Sequence, residues 1–252
     1  MSPADPSQRR LLLFTKPARA GRVKTRLIGD LSAGEAAELH AAFLDDLVER
    51  LEGGAFTLRL AWALEPDEEV PAGPTPGVRQ SGEGLGDRLY NAFAEAAREA
   101  PFVAALGSDH PTLPPALAER AFAALEAGAD AVLGPAADGG YYLIALRAAA
   151  VRRRLFEGIA WSTDGVLAST LERCRELGLA VELLPEAADV DTPEDLRRLA
   201  AELAAGDLGC PRTRGLLAAW DRLPAAGASG SCQRRESFRA GLERTHSAGQ
   251  SQ

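Results

Sequence analysis

The stretch Phe102-Val-Ala-Ala-Leu-Gly-Ser-Asp109-His-Pro111 determines how the rest of the chain is interpreted. Its apolar half, which ends at Leu106, predicts a short buried strand that stops at Gly107. Ligands of open α/β sheets gather just beyond the carboxyl ends of the strands. Asp109 follows such an end, so it is a candidate ligand for a divalent cation and, through the cation, for a diphosphate. The alternative is an aspartate that closes a turn, helped by Pro111.

The composition indicates a globular protein and does not exclude a small anionic ligand. The 252 residues are 46% hydrophobic and 25% charged, and the length suits one sizeable α/β domain or two small ones. A formal net charge of −8 argues against a nucleic-acid or membrane-surface binder, because both need a basic face. The three cysteines are far apart, which excludes a disulfide framework and a CxxC zinc site. With no signal peptide or membrane-span pattern, we expect a cytoplasmic protein.

A basic loop follows the first predicted strand, Leu11 to Phe14. Five lysines and arginines lie between residues 16 and 26, beside Gly21, in a chain that is acidic overall. Close backbone N–H groups and clustered cations together suit a diphosphate or triphosphate. The loop is neither a Walker A motif nor GxGxxG, so it is not evidence for the folds that carry them. A solvated basic loop is the alternative.

A glycine-rich segment precedes the next helical pattern, which begins near Leu89 and includes Phe93. Gly82, Gly84 and Gly86 allow backbone groups to approach a base or ribose closely. An amide before them, on Gln80, could read the edge of a base. A flexible loop before an ordinary helix start explains the segment equally well.

The sequence Asp138-Gly139-Gly140 lies between two apolar runs and is a strong hairpin signal. The same turn can bring a carboxylate and an exposed backbone to the rim of a cleft, with Tyr141 and Tyr142 beside it. The two interpretations are compatible with each other, and neither excludes a role in acceptor binding.

The acidic segment that begins at Asp189 opens the last regular helix. Thr192 as N-cap, Pro193 at the first helical position and Asp195 at the third explain part of the acidity by capping alone. Asp189 and Asp191 precede the cap and are not explained in this way. One of them is therefore a candidate second metal ligand, and the sequence leaves open which.

Alternating strand and helix patterns predict a mostly parallel sheet with helices on both faces. Ser32 and Glu35 form a capping box for a helix that extends to Glu52. Ser162 or Thr163 is expected to cap a later helix, and Trp161 is more often a core residue than a ligand platform. We expect a flexible N-terminus (1–9), one main domain (10–206), a short helical extension (207–223) and a disordered tail (224–252).

Five motifs, in order, resemble those of one family. They are Lys16-Pro17 with Gly21 and Val23-Lys-Thr-Arg-Leu27; Gln80 with Gly84-Leu-Gly-Asp-Arg88; Gly107-Ser-Asp-His-Pro111; Gly134-Pro135 with Asp138-Gly-Gly-Tyr141; and Asp189-Val-Asp-Thr-Pro-Glu-Asp-Leu196. The chain is similar to the bacterial GT-A-type, glycosyltransferase-like members of the nucleotide-diphospho-sugar transferase superfamily, which are related to molybdopterin and 2-phospholactate guanylyltransferases. The motifs span residues 10 to 205, and five ordered matches are far more specific than one.

The resemblance implies a single Rossmann-like GT-A domain, magnesium or manganese as cofactor, and transfer from a nucleotide donor to a small-molecule acceptor. The implied nucleotide- and phosphate-binding residues are Lys16, Gly21, Lys24, Thr25, Arg26, Gln80, Gly84, Leu85, Gly86, Arg88 and Ser108. The implied metal ligands are Asp109 and Asp191, the implied catalytic residues are Asp109, Asp138 and Lys24, and the acceptor-side residues are Asp138, Gly139, Gly140, Tyr141 and Trp161. A strict DxD motif is absent, because Gly107 and Pro111 stand two residues from Asp109 on either side.

Three functions are consistent with these residues. The first is transfer of a sugar from a nucleotide sugar to a small-molecule acceptor. The second is nucleotidyl transfer from a nucleoside triphosphate to a phosphorylated acceptor with release of pyrophosphate. The third is nucleotide binding without catalysis, since fold analogy alone never establishes activity. The basic loop is not of the LxAGxSxRMGxxK type seen in many nucleotidyltransferases, which favours the first.

Overall fold

The computed structural model describes residues 5–224. The expected disordered tail lies outside the described residues except for residue 224, and so do residues 1–4. Residues 6–9, expected to be flexible, are ordered: Pro6–Gln8 form a 3-10 turn and the first strand begins at Arg9. Arg9 is fixed there because its guanidinium donates to both carboxylate oxygens of Glu126, at 2.8 and 2.7 Å.

Seven strands form one mixed sheet. They are β1 (Arg9–Thr15), β2 (Thr57–Trp62), β3 (Gly77–Arg79), β4 (Phe102–Gly107), β5 (Ala131–Pro135), β6 (Tyr141–Arg147) and β7 (Val181–Leu183), in the spatial order β3-β2-β1-β4-β6-β5-β7. Only β6 runs antiparallel to its two neighbours, β4 and β5. The expected fold, an α/β domain with a mostly parallel sheet, is thus confirmed.

Within residues 5–224, six α-helices lie between or after the strands. They are α1 (Ala33–Leu51), α2 (Leu85–Ala96), α3 (Pro115–Ala127), α4 (Val166–Glu176), α5 (Pro193–Ala205) and α6 (Pro211–Ala219). The expected capping boxes are present at α1, with Ser32 and Glu35, and at α5, with Thr192 and Asp195. Across residues 5–224, none of these helices is both long and apolar enough to cross a lipid bilayer.

Both faces of the sheet are covered, as the continuous apolar runs of β1 and β4 predict. Leu11 and Leu13 of β1 pack into one core with α1 and α3, whereas Leu12 belongs to a second core with α2 and α4. This division follows from the two-residue period of a strand, which directs alternate side chains to opposite faces. The central strands are thereby fixed from both sides, and their carboxyl ends are held rigidly.

A third apolar cluster lies on the other side of α1 and joins it to α5 and α6. Phe43 of α1, Leu199 of α5 and Leu217 of α6 are each at most 2% exposed in this cluster. Asp46 of α1, also buried, accepts hydrogen bonds from the backbone N–H groups of Arg212 and Thr213 at 2.9 and 2.8 Å. The first turn of α6 is therefore capped by a side chain from another helix.

One strand was missed and two local expectations were wrong. Gly77–Arg79 forms an edge strand that the sequence pattern did not reveal, because three residues are too few to show a period. The helix α2 begins at Leu85, with Gly84 as its N-cap, so Leu85 to Arg88 form a helical turn rather than part of a loop. Neither Ser162 nor Thr163 caps α4, whose N-cap is Gly165.

Candidate active site

A cleft of about 530 Å³ lies at the carboxyl ends of β1 and β4. Its lining residues are Phe14, Thr15, Lys16, Val23, Lys24, Thr25, Arg26, His40, Ala63, Gln80, Leu85, Arg88, Gly107, Ser108, Asp109, Ser162 and Asp191. Four of the five sequence motifs therefore meet here, although they are separated by up to 175 residues between Lys16 and Asp191. The parallel pairing of β1 with β4 brings them together, because it places both carboxyl ends at the same sheet edge.

Two carboxylates and one lysine form the centre of the cleft. Lys24 Nζ contacts Asp109 Oδ1, lies 3.1 Å from Asp191 Oδ1, and donates to the backbone carbonyl of Val190 at 2.8 Å. The Lys24 side chain is 2% exposed, whereas the carboxylates of Asp109 and Asp191 are 46% and 33% exposed to the cleft. The two predicted metal ligands thus converge, with the ammonium between them.

The charges of this centre stabilise one another. Burial lowers the pKa of Lys24, but Asp109 and Asp191 outweigh that effect and hold the pKa above its ordinary value. Removal from water raises the pKa of Asp109, but the Lys24 ammonium more than compensates and keeps the pKa below its usual range. Both groups are therefore charged at neutral pH.

Asp189 occupies a different environment from Asp191. Burial, followed by the charges of Asp191 and Asp138, raises the pKa of Asp189 to about 6. No lysine or arginine within the described residues forms an ion pair with its carboxylate, and Arg198 donates to its backbone carbonyl at 2.9 Å instead. Asp191, not Asp189, shares a cation with Asp109.

Further cations surround the acid pair. Arg26 Nη1 lies 3.6 Å from Asp191 Oδ2, and its side chain is 69% exposed. Lys16 and Arg88 line both the main cleft and an adjoining cavity of about 230 Å³. This second cavity is also lined by Arg19, Arg22, Glu65 and Glu68, and Arg19 forms an ion pair with Glu68, so Lys16, Arg22 and Arg88 are the cations that flank the acid pair on this side.

Gln80 is tied to the ends of two strands by its amide nitrogen. Nε2 donates to the backbone carbonyls of Ala61 at 2.8 Å and Thr15 at 3.3 Å. Because both neighbours are carbonyl oxygens, only the NH₂ end of the side chain can face them. Gln80 can therefore present only its carbonyl oxygen to a ligand.

The remaining nucleotide-side residues differ in position. Ser108 is buried and Thr25 is exposed, and both line the cleft. Gly21 (φ +74°) and Gly84 are not among the lining residues of either cavity. Gly86 is also outside the lining, and it lets α2 approach Trp161, since a Cβ there would lie 2.7 Å from Trp161 Nε1.

The acceptor-side residues lie next to the cleft and do not line it. Asp138 Oδ1 accepts the backbone N–H of Gly140 at 2.9 Å and so closes the β5–β6 turn. Gly139 has φ +87° and packs against the backbone of Asp164 so closely that a Cβ would overlap the Asp164 carbonyl. Tyr141 packs edge-on against the Trp161 ring with centroids 6.5 Å apart, so both residues contribute to packing.

Several lining residues were not predicted from sequence. His40 projects from α1, where Nε2 lies 3.1 Å from the Lys16 carbonyl and 3.3 Å from Thr15 Oγ1. Its position on an otherwise apolar helix face, between Leu39 and Phe43, is a signal that could have identified it. Ser162 lines the cleft with a left-handed backbone (φ +66°), a conformation that no sequence pattern revealed.

His110, directly after Asp109, is a buried neutral ring. Burial lowers its pKa to about 4, and neither ring nitrogen has a hydrogen-bond partner. The ring packs against Tyr142 with centroids 5.5 Å apart. Across residues 5–224, no cluster of three or more His, Cys, Asp and Glu side chains has the arrangement of a metal site.

Comparison with known proteins places these features in one family. The family model DUF2064, described as an uncharacterized protein conserved in bacteria, matches residues 60–163. A crystal structure from Desulfovibrio desulfuricans G20, provisionally named as a nucleotide-diphospho-sugar transferase, is 32% identical with a TM-score of 0.81. The match covers 86% of this chain and 96% of that protein. No curated protein matches the chain.

More distant structures share the fold. A cytidylyltransferase from Leptospira borgpetersenii serovar Hardjo-bovis (strain JB197) has a TM-score of 0.52 at 11% identity, with 89% of this chain and 99% of that chain covered. CMP:2-keto-3-deoxy-manno-octonic acid synthetase complexed with CTP has a TM-score of 0.50 at 16% identity, with 77% and 97% covered. The resemblance inferred from the motifs is thus confirmed: the chain belongs to the same family as the Desulfovibrio protein and has the nucleotide-diphospho-sugar transferase-like fold.

Proposed function

We propose that the protein is a metal-dependent transferase that transfers a sugar from a nucleotide-sugar donor to a small-molecule acceptor. The observation that carries this proposal is the convergence of Asp109 and Asp191 in one cleft flanked by cations. A cleft of about 530 Å³ is within the usual range for small-molecule sites. The similarity to the Desulfovibrio protein supports a nucleotide-sugar donor.

The residues fit a hard divalent cation. Magnesium in proteins is commonly held by one or two carboxylates, and substrate phosphates and waters complete the shell. Asp109 and Asp191 offer two carboxylates whose oxygens already converge on a single cationic atom. Mg²⁺ or Mn²⁺ held there supplies neutralisation of the charge that develops on the leaving nucleoside diphosphate.

The other lining residues have complementary roles. Arg26, Lys16 and Arg88 bind and orient the diphosphate, because cations with free donors are the groups that anions require. The Gln80 carbonyl oxygen accepts a hydrogen bond from an N–H of the base. The first turn of α2, which contributes Leu85 and Arg88 to the lining of the cleft, faces the ribose.

The acceptor binds on the side of the β5–β6 turn. Sugar transfer to a hydroxyl or thiol is helped by a general base, and we assign that role to Asp138. Asp138 is exposed. Its negative charge acts to raise the pKa of Asp189 and that of His110, two residues beside the acid pair. Gly139 and Gly140 form the same turn, and the rings of Tyr141 and Trp161 pack against each other next to it.

Nucleotidyl transfer is the second candidate. The two carboxylates come from separate segments, after β4 and before α5, instead of from one DxD motif. The fold is shared with cytidylyltransferases, and one of those structures contains CTP. In that reaction, the acceptor is a phosphorylated small molecule and pyrophosphate leaves.

A non-catalytic nucleotide-binding protein is the third possibility. A protein that only binds a nucleotide does not require two carboxylates to converge, and it does not require a buried lysine in contact with both. The arrangement of Asp109, Asp191 and Lys24 therefore favours the catalytic proposals.

The test is a thermal-shift screen of the purified protein with nucleotide sugars and nucleoside triphosphates, each with and without Mg²⁺ or Mn²⁺. Specific binding to the folded state raises the melting temperature by mass action. Metal-dependent stabilisation by a nucleotide sugar, lost in Asp109→Asn, supports sugar transfer. Stabilisation by triphosphates alone, with pyrophosphate released on turnover, supports nucleotidyl transfer. No metal-dependent stabilisation with any nucleotide contradicts both enzymatic proposals.

A further inference from the structure

Lys24 has no hydrogen-bond donor left for a substrate phosphate. An ammonium carries three N–H donors, and its neighbours are three acceptors: the Val190 carbonyl, Asp191 Oδ1 and Asp109 Oδ1. The side chain is only 2% exposed. A buried lysine whose three donors are all used differs from the exposed, rotatable cation that usually binds phosphate.

We propose that Lys24 is the internal counter-ion of the Asp109–Asp191 pair, and that a divalent cation must displace the Lys24 ammonium to bind these carboxylates. Asp109 Oδ1 and Asp191 Oδ1, each in contact with Lys24 Nζ, are the oxygens with which the pair would bind a metal. An ammonium and a divalent cation repel each other strongly at such distances, and partial burial reduces the screening by water. The two cations therefore compete for the same oxygens.

The displaced ammonium needs another anion. Its surroundings include the ring of Phe43, 5.5 Å from Nζ, and the Val190 carbonyl, and neither carries a full negative charge. A phosphate that arrives with the metal supplies that charge. We therefore expect metal and diphosphate to bind cooperatively, with the metal alone binding weakly; this coupling to phosphate rests on the proposed function.

The surrounding backbone allows Lys24 to be replaced without loss of the fold. The segment before α5 is also joined to β4 by a backbone hydrogen bond, from Val190 N–H to the Asp109 carbonyl at 3.2 Å. Val190 is buried in the apolar cluster with α1 and α5. These contacts do not involve Lys24, so Asp191 stays near Asp109 in a Lys24 variant.

The test measures the affinity for Mn²⁺ alone, by electron paramagnetic resonance of free Mn²⁺, in the wild type, Lys24→Met and Lys16→Met. Lys16→Met is the matched control, since it removes the same charge from an exposed position in the same cleft. We expect Lys24→Met to bind Mn²⁺ at least about tenfold more tightly than the wild type, because a repelling charge is gone. Lys16→Met should stay within about twofold, since an exposed charge is well screened.

A second titration uses pyrophosphate, which carries the diphosphate without a base or sugar. In the wild type, we expect pyrophosphate to strengthen Mn²⁺ binding, and in Lys24→Met the strengthening should be smaller. Mn²⁺ affinity in a folded Lys24→Met that is equal to or weaker than that of the wild type overturns the proposal, as does loss of metal-free pyrophosphate binding with Mn²⁺ affinity unchanged. If Lys24→Met does not fold, Lys24→Gln removes the same charge and provides the same comparison.

These outcomes separate the counter-ion role from the proposed reaction. Tighter Mn²⁺ binding by Lys24→Met, together with no stabilisation by any nucleotide sugar or triphosphate, supports the role of Lys24 and contradicts the proposed function. Nucleotide-sugar turnover with no difference in Mn²⁺ affinity between the wild type and Lys24→Met supports the function and overturns the role of Lys24.

Discussion

Two aspartates of this protein, Asp46 and Asp109, differ in their exposure and in their partners. Asp46, on α1, has a fully buried side chain and accepts the backbone N–H groups of Arg212 and Thr213. Asp109, at the end of β4, is partly exposed to the cleft and faces the ammonium of Lys24. The first carboxylate holds a helix in place, and the second lines a cavity.

The difference lies in whether the partner can be exchanged. Backbone N–H groups of α6 cannot leave Asp46 without movement of the helix, so that centre can only be structural. A lysine side chain can rotate away from Asp109 when another cation arrives. Exchangeable partners, together with exposure to a cleft, distinguish a binding centre from a structural one of the same charge.

Replacement of Asp109 by alanine should have the largest effect on binding. A group that only supports a metal ligand is typically worth about 10–100-fold in metal affinity, so loss of a ligand itself should cost at least about 100-fold. We expect metal-dependent nucleotide binding to disappear in isothermal titration calorimetry. The melting temperature of the ligand-free protein should change little, because Lys24 keeps Asp191 and the Val190 carbonyl.

Asp109→Asn is the conservative control, since it keeps the shape of the side chain and removes the charge. It should weaken metal-dependent binding nearly as much as alanine does. Unchanged nucleotide affinity in either variant contradicts the assignment of Asp109 to the site.

Replacement of Asp46 by alanine should lower the stability of the fold and leave metal binding unchanged. Two backbone N–H groups at the start of α6 lose a charged acceptor, which costs about 2–4 kcal/mol in the free energy of unfolding. Denaturant titration measures this loss, and Mn²⁺ affinity should be unchanged. Asp46→Asn keeps one acceptor oxygen and should lose about half as much; equal losses in the two variants would contradict the capping explanation.

Much of this contrast could be predicted from sequence, but not all of it. The apolar run before Asp109 and the capping pattern at Thr192 are local signals, and both gave the correct element. The contact between Lys24 and Asp191 joins residues 167 apart, and it depends on the tertiary arrangement that places the segment before α5 beside the end of β4. The sequence motifs therefore include some of the residues that line the cleft, such as Lys16, Lys24 and Asp109, but they do not indicate which of them neutralise each other.

The N-terminal cap of α6 is a second contact that could not be predicted from the sequence. Asp46 lies on α1 with an acidic neighbour, Asp45, and nothing in that stretch indicates a partner 166 residues away. Gln80 is a similar case, because the NH₂ end of its amide donates to the carbonyls of Ala61 and Thr15, which leaves only its carbonyl oxygen for a base. Long-range hydrogen bonds to backbone groups leave no periodic trace in a sequence.

Gly139→Ala tests whether the β5–β6 turn on the acceptor side is held by its close contact with Asp164. A Cβ at φ +87° is strained and would overlap the Asp164 carbonyl, so we expect a loss of about 2–3 kcal/mol in unfolding free energy. Gly140→Ala is the control, because its Cβ would meet only the flexible side chain of Asp138, at 3.1 Å. Denaturant titration should therefore show a much smaller loss for Gly140→Ala, and equal losses would mean that the contact with Asp164 is not the cause.

Arg26→Ala should have the smallest effect on stability. It removes the second cation, after Lys24, that lies beside the Asp109–Asp191 pair. Its guanidinium is 69% exposed and lies 3.6 Å from Asp191 Oδ2, and exposed ion pairs contribute about 0–1 kcal/mol. The unfolding free energy should therefore change by less than about 0.5 kcal/mol. Affinity for a nucleoside diphosphate with Mn²⁺ should nevertheless fall about tenfold, because a charge-assisted hydrogen bond to phosphate contributes about 1.5–3 kcal/mol. A loss of stability without a loss of diphosphate affinity would mean that Arg26, like Asp46, has a structural role and does not bind the phosphate.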